Sequence, residues 1–196
     1  MTAWLASLGG LNWLSWLNWQ SGGLIAAALL MFWGIGAYNR VMLLRNAIGD
    51  AFVQLDGHLK DRAEVCDKLL AAVAPRLATE QATFDALGAA QAEAQAAAQA
   101  SRARPWSPDS VGSLAVASAL HAAALARLMS LLEHQAELRG EPGIDSLVDE
   151  LKLVERQRAF ARQVFNQAVG RYNEALRQFP TRLLASLYGF SEARSL

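Results

Sequence analysis

At 196 residues the chain has room for one domain and a short appendage. Its formal net charge is zero, which gives no electrostatic reason to expect a nucleic-acid partner. Cys66 is the only cysteine, so an internal disulfide is excluded. His58, His121 and His134 have no cysteine beside them and no zinc-like spacing, so neither a metal site nor a cofactor is expected.

The chain opens without charge. In WLASLGGLNWLSWLNWQSGG, residues 4–23, leucine and tryptophan crowd around Asn12, Ser15 and Asn18. Trp13, Trp16 and Trp19 suit the headgroup region, where an indole is half wet, so residues 1–21 read as an interfacial leader; a leader without order is the alternative. GGLIAAALLMFWGIGAY follows, residues 22–38, again without a charge. Seventeen residues at ~1.5 Å each cover roughly 25 Å, and extension through Val41–Leu44 reaches the ~30 Å of a hydrocarbon core. A transmembrane helix is expected over 22–44, with Trp33, Tyr38 and the long stem of Arg40 at its second interface. A cleaved signal peptide would need a basic start and a small-residue site, and neither is present. Arg40 is the first charged residue, and Arg45, Lys60 and Arg62 come after it. The positive-inside rule then puts the N-terminus outside and everything after the span in the cytoplasm.

Residues 45–196 read as a helical bundle. Apolar residues at 44, 48, 52, 55, 59, 65, 69, 73 and 77 follow a helix seam, which Pro75 should kink or end. Helix resumes through QATFDALGAAQAEAQAAAQASRAR, whose Ala/Gln-rich part (89–100) suits a thin or protruding tip. RPWSPDS (104–110) is a turn with Ser107 as N-cap, and GEPGIDS (140–146) is the next break. Between and after them, helices are expected over about 108–139 and 144–179. With the first two, these make an all-α, antiparallel up-and-down bundle of about four helices. Pro180 ends the last of them, and the apolar residues of 181–190 predict a short amphipathic segment closed by Gly189 and folded against the bundle, a neighbouring subunit or the membrane.

Phe165, Tyr172 and Phe179 stand seven residues apart, the spacing of a packing seam on a supercoiled helix; an aromatic-lined ligand groove is the other reading. Asn166 and Asn173, one position on, can bond to a facing helix or cap a groove. The same register leads back to Arg158, with Glu155 and Arg162 beside it, while Arg62 occupies an apolar position in the first seam. Buried charges must pair or reach solvent, so an ionic network is expected in which Glu155 meets Arg62, Arg162 or both.

YNRVMLLRNAIGDAFVQLDGHLKDR (38–62) and VERQRAFARQVFNQAVGRYNEALRQFPTRLLASLYGF (154–190) resemble the two signature regions of the LemA family. The shared pattern runs through Asn39, Leu44, Arg45, Asn46, Gln54, Leu59 and Arg62. It resumes at Glu155, Ala161, Arg162, Asn166, Tyr172, Asn173, Phe179, Pro180, Gly189 and Phe190. Cys66 stands where that pattern has a proline, and Pro75 lies where it has none. The resemblance implies a bacterial single-pass membrane protein with a helical-bundle domain, no catalytic residues and a role in membrane or envelope biology. Relatives in magnetosome formation belong to the same family.

No nucleophile elbow, phosphate loop or strand is evident, so an enzyme is not expected. His121, between Leu114 and Leu125, reads as a core or boundary histidine. A membrane-anchored scaffold or interaction protein in the cytoplasmic membrane is the leading expectation, and a regulatory adaptor for a membrane protease or other envelope enzyme the alternative. Its partners would be the lipid bilayer, a membrane protein and further copies of itself, since Gly22 with Ala26 and Gly23 with Ala27 allow close helix approach in lipid.

Overall fold

The computed structural model describes residues 19–135, 138 and 140–196, and every regular element among them is helical. Helix α1 runs unbroken from Trp19 to Val73, 55 residues or ~80 Å. The junction between apolar stretch and bundle, Tyr38–Arg45, contains no proline or glycine, so nothing interrupts the hydrogen-bond ladder there. The helix stops ahead of Pro75, and a turn with a 3₁₀ segment (Ala78–Glu80) leads into α2, Gln81–Arg102. Helix α3, Pro108–His134, starts with proline in its first turn, where a missing N–H costs nothing; Ser107 sits at the cap position without a side-chain capping bond. Helix α4 spans Pro142–Arg177 and α5 spans Thr181–Tyr188.

Helices α1 and α4 pack together along most of the bundle, and α2 with α3 forms a second antiparallel pair laid against them. The α1/α4 register is set by two contacts. Phe52 meets Phe165 edge-on at 6.0 Å between ring centres. Ten residues on along α1, and ten back along α4, Arg62 meets Glu155. The core accordingly falls into two apolar clusters. One holds Ile48, Phe52 and Leu55 of α1 with Phe165, Val169 and Tyr172 of α4. The other holds Cys66, Leu69 and Val73 of α1 with Leu87, Leu128 and Leu151 from the remaining helices. The Ala/Gln-rich segment is not a protruding tip. Ala94 and Ala98 are buried, and their small side chains let α2 lie close to its neighbours.

Beyond α5 the chain returns along α4 as an extended strap. Asn173 donates to the Ala193 carbonyl and accepts from the Ala193 N–H, both at 2.8 Å. Asn166 makes the same reciprocal pair with Leu196, again at 2.8 Å. The spacing explains the motif. Seven helical residues advance ~10.5 Å, and three extended residues advance ~10 Å, so two asparagines one heptad apart match backbone positions three apart. Tyr172 Oη donates to the Ser191 carbonyl (3.2 Å) between the strap and its own buried ring. Gly112 of α3 makes room for the strap's Arg194, whose Nη1 would lie 2.8 Å from a Cβ at that position. At the end of α5, Gly189 adopts φ 69°, and its N–H closes on the Ala185 carbonyl.

Phe165 and Tyr172 lie in the core at 0% and 2% exposure, but Phe179 does not continue the seam: it is 75% exposed. The reason is local. Helix α4 stops at Arg177, so the heptad spacing no longer fixes a direction two residues later. In denaturant titrations of the solubilised protein, Phe165→Ala is expected to cost about 3–5 kcal/mol, and Phe179→Ala less than about 1 kcal/mol.

Candidate functional site

Two regions gather the residues singled out above. The first is a polar layer between the two apolar clusters, to which all four long helices contribute. Arg62 of α1 is 1% exposed, and its Nη1 lies 3.4 Å from Glu155 Oε1 of α4. Arg158 reaches the other carboxylate oxygen from Nε (3.1 Å) and Nη2 (2.8 Å). Arg162 does not join them. One turn further along α4, its Nε donates to the Leu196 carbonyl at 2.9 Å, so it holds the strap. The network is therefore Arg62–Glu155–Arg158, two cations on one anion.

The electrostatics follow from burial. Desolvation and then the Arg158 charge lower the Arg62 pKa, while Glu155 opposes them; the guanidinium stays a cation. Desolvation pushes Glu155 upward, but the Arg158 hydrogen bond and the two guanidinium charges outweigh it and hold the carboxyl below its ordinary range. His121 of α3 is 1% exposed in the same layer, and burial followed by the Arg62 charge pushes it down to about 4. Burial likewise raises the Cys66 thiol to about 11, which makes it a packing residue rather than a nucleophile. Gln91 of α2 completes the layer; its Nε2 donates to Asp67 at 2.7 Å. Sequence reading missed Gln91 because it lies in a low-complexity run, although Gln91, Ala94 and Ala98 keep helical spacing there.

The second region is the foot of the bundle, where α1 leaves it. From Leu24 to Leu43 the large apolar residues of α1 are mostly exposed, Phe32 by 75%. Val41 is already buried in the bundle and Leu44 packs against its core, so bundle packing begins on one side of α1 at Val41 while Leu43 is still exposed on another. An aromatic collar surrounds this junction. Trp33 meets Phe179 at 5.5 Å, and Tyr38 meets Tyr188 at 5.6 Å and Phe190 at 6.0 Å. Arg40 Nη2 donates to Gln178 Oε1 at 3.0 Å, tying the collar to the end of α4. Helix α5 buries Thr181 and Ala185 and leaves Leu183, Leu187 and Tyr188 outside. Trp13 and Trp16 lie outside the described residues, as does the side chain of Trp19.

By length and hydropathy α1 is a candidate membrane span. Helix α3 passes the same test, but Leu114, Leu125, Leu128 and Leu132 bury its apolar face in the bundle. The LemA family model matches residues 51–196. The chain belongs to the LemA family. The match covers the whole four-helix bundle from the middle of α1 and includes Arg62, Glu155, both asparagines and the strap. It begins after Asn39, Leu44, Arg45 and Asn46, so the candidate span and the first part of the quoted signature precede it. No curated protein matches the chain.

Removing Glu155 leaves Arg62 without a counter-charge. Glu155→Ala is expected to cost about 3 kcal/mol, the low end for breaking a buried pair because the Glu155 side chain is 31% exposed. The pH dependence has two parts. Glu155, with its folded pKa lowered, stabilises above the unfolded carboxylate range and loses that contribution as pH falls through its folded value. His121 is favoured neutral, so its contribution is complete above pH 6.5 and is lost as pH falls toward about 4. Stability measured across that interval should drop by up to about 3 kcal/mol in the wild type and stay nearly flat in His121→Gln.

Proposed function

We propose that this LemA-family chain is a non-enzymatic, membrane-anchored scaffold. In this reading α1 crosses the bacterial cytoplasmic membrane, the N-terminus lies outside, and the bundle stands on the cytoplasmic face. The observation that carries it is the bare apolar half of α1 ending at the aromatic collar. From Trp19 to Tyr38 a helix advances ~30 Å, the depth of a hydrocarbon core. Left in water, that surface would cost roughly 25 cal/mol per Å². The collar supplies amphipathic rings at one interface, and exposed Arg40 and Arg182 can meet anionic headgroups. Leu183, Leu187 and Tyr188 of α5 continue this surface sideways, so the bundle rests on the bilayer through a foot as well as a stem.

Self-association completes the scaffold. Gly22, Gly23, Gly34 and Gly36 have open space where a side chain would be, which leaves smooth patches for helix contact in lipid. Mass photometry in nanodiscs is expected to show species larger than one copy; a monomer at every concentration would remove this part of the reading. An adaptor would instead bring down a stoichiometric enzyme when purified from native membranes.

Anchoring and the foot have their own tests. The protein should remain with membranes through carbonate washing, and a cysteine introduced at position 190 should resist labelling from outside intact cells. A spin label at Leu187→Cys in nanodiscs should be more accessible to oxygen than to a polar nickel chelate. One at Val116→Cys, on the bundle exterior, should show the reverse. If both labels prefer the chelate, α5 does not touch lipid.

A further inference from the structure

A cavity of about 380 Å³ opens beside the polar layer, between α1, α2 and α3. This is the size of a small-metabolite site. Its buried wall carries Arg62, His121, Gln91, Ala94 and Ala98, and its exposed rim includes Lys60 and Asp67. The room comes from sequence: Ala94 and Ala98 face inward where leucines would have filled the space.

The buried wall offers unused hydrogen-bonding groups. Arg62 Nε, both ring nitrogens of His121 and Gln91 Oε1 are buried and have no hydrogen-bond partner among the described residues. Arg62 is engaged by Glu155 through Nη1 only, which leaves the Nε/Nη2 edge of the guanidinium without a hydrogen bond to that carboxylate. That edge is the planar fork that matches a carboxylate with two parallel hydrogen bonds. Charge points the same way. The interior network contains two guanidinium groups and one carboxylate, so it carries an uncompensated positive charge. Three acids line the cavity, and each has a partner: Asp56 is held by Arg102 (3.1 Å) and Lys60 (2.9 Å), Glu64 by Lys68 (2.7 Å), and Asp67 accepts from Gln91 (2.7 Å). On α2 the polarity reverses. Gln91 presents an acceptor oxygen, and its amide is held by the Asp67 carboxylate, so this end of the cavity calls for a donor.

We propose that the cavity binds a small amino- or hydroxy-carboxylate, with its carboxylate on the free edge of Arg62 and its amine or hydroxyl toward Gln91 and Asp67. Neutral His121 supplies one further N–H to the carboxylate and one acceptor. The ligand would engage Arg62 Nε, one ring nitrogen of His121 and Gln91 Oε1, and its carboxylate would lie against the surplus positive charge. The site is independent of the scaffold reading, because it lies in the bundle and uses no lipid-facing residue.

The test uses the full chain in nanodiscs and four probes of similar size: L-alanine, L-lactate, propionate and isopropylamine. Binding is read by calorimetry and by the shift in unfolding temperature. Alanine or lactate should bind and stabilise, propionate about tenfold more weakly for want of the donor, and isopropylamine not at all. The stronger of alanine and lactate identifies the donor as amine or hydroxyl. Ala94→Leu fills the cavity and leaves every polar group in place. It should abolish binding while ligand-free stability stays equal or higher. Gln91→Leu should erase the preference for alanine or lactate over propionate. The proposal is overturned if no carboxylate probe binds up to roughly 10 mM, if isopropylamine binds best, or if a folded Ala94→Leu protein binds as well as wild type.

Discussion

A single buried cation organises this molecule. Arg62 sits in the middle of a four-helix bundle with 1% of its surface exposed, and a charge there must have a counter-charge within reach. Glu155 provides it from α4, and that one requirement fixes how far α4 can slide along α1. A shift of one helical turn would set the guanidinium against Leu151 in one direction and against Arg158 in the other. An apolar seam penalises such a slip weakly, because one leucine replaces another. The ion pair makes it prohibitive, as polar residues do in coiled coils.

Register in the middle decides geometry at the end. With Arg62 opposite Glu155 and Phe52 opposite Phe165, α4 reaches its last turn beside Arg40, and Gln178 bonds to it. One residue later Phe179 has left the helix and turned to Trp33, and α5 swings out at the level of Tyr38. The aromatic collar therefore lies where the bare part of α1 ends, because the interior pair is where it is. Helix α1 transmits this without slack. It is one unbroken rod whose first half presents apolar residues outward and whose second half presents them to α4.

Much of this architecture could be read directly from the residues. The late onset of charge marked the bare apolar part of α1, the proline-containing turns separated the helices, and Phe165 and Tyr172 at heptad spacing marked the inward face of α4. What escaped reading depended on partners far away in sequence. Phe179 shares the spacing but lies beyond the end of the helix that gives spacing its meaning. Arg162 shares the signature with Glu155, yet bonds to a carbonyl of the strap, and nothing in a heptad pattern announces a strap. Asn166 and Asn173 were visible as a pair beside the seam. Their role appears only when the ~10 Å repeat of a heptad is set against the ~10 Å advance of three extended residues. The Ala/Gln-rich run misled because small residues fit an exposed tip and a close helix contact equally well. Only burial distinguishes the two.

The polar layer then raises a question of energetics that its role in register answers. Well-packed apolar residues in place of a buried ion pair commonly leave a protein as stable or more so, by about 1–4 kcal/mol. Stability therefore gives no reason to keep Arg62, Glu155, Arg158 and His121 inside a bundle that already has two apolar clusters. Position does give one. A bundle held only by leucine and alanine could rotate or slip by small steps with little penalty, and each step would carry α5 and the collar off the level of Tyr38. The charged layer removes those alternatives at the cost of an interior that is less favourable than it could be. For a domain joined to an apolar stem through one continuous helix, that cost falls on the core, and the benefit appears some 35 Å away, at the foot.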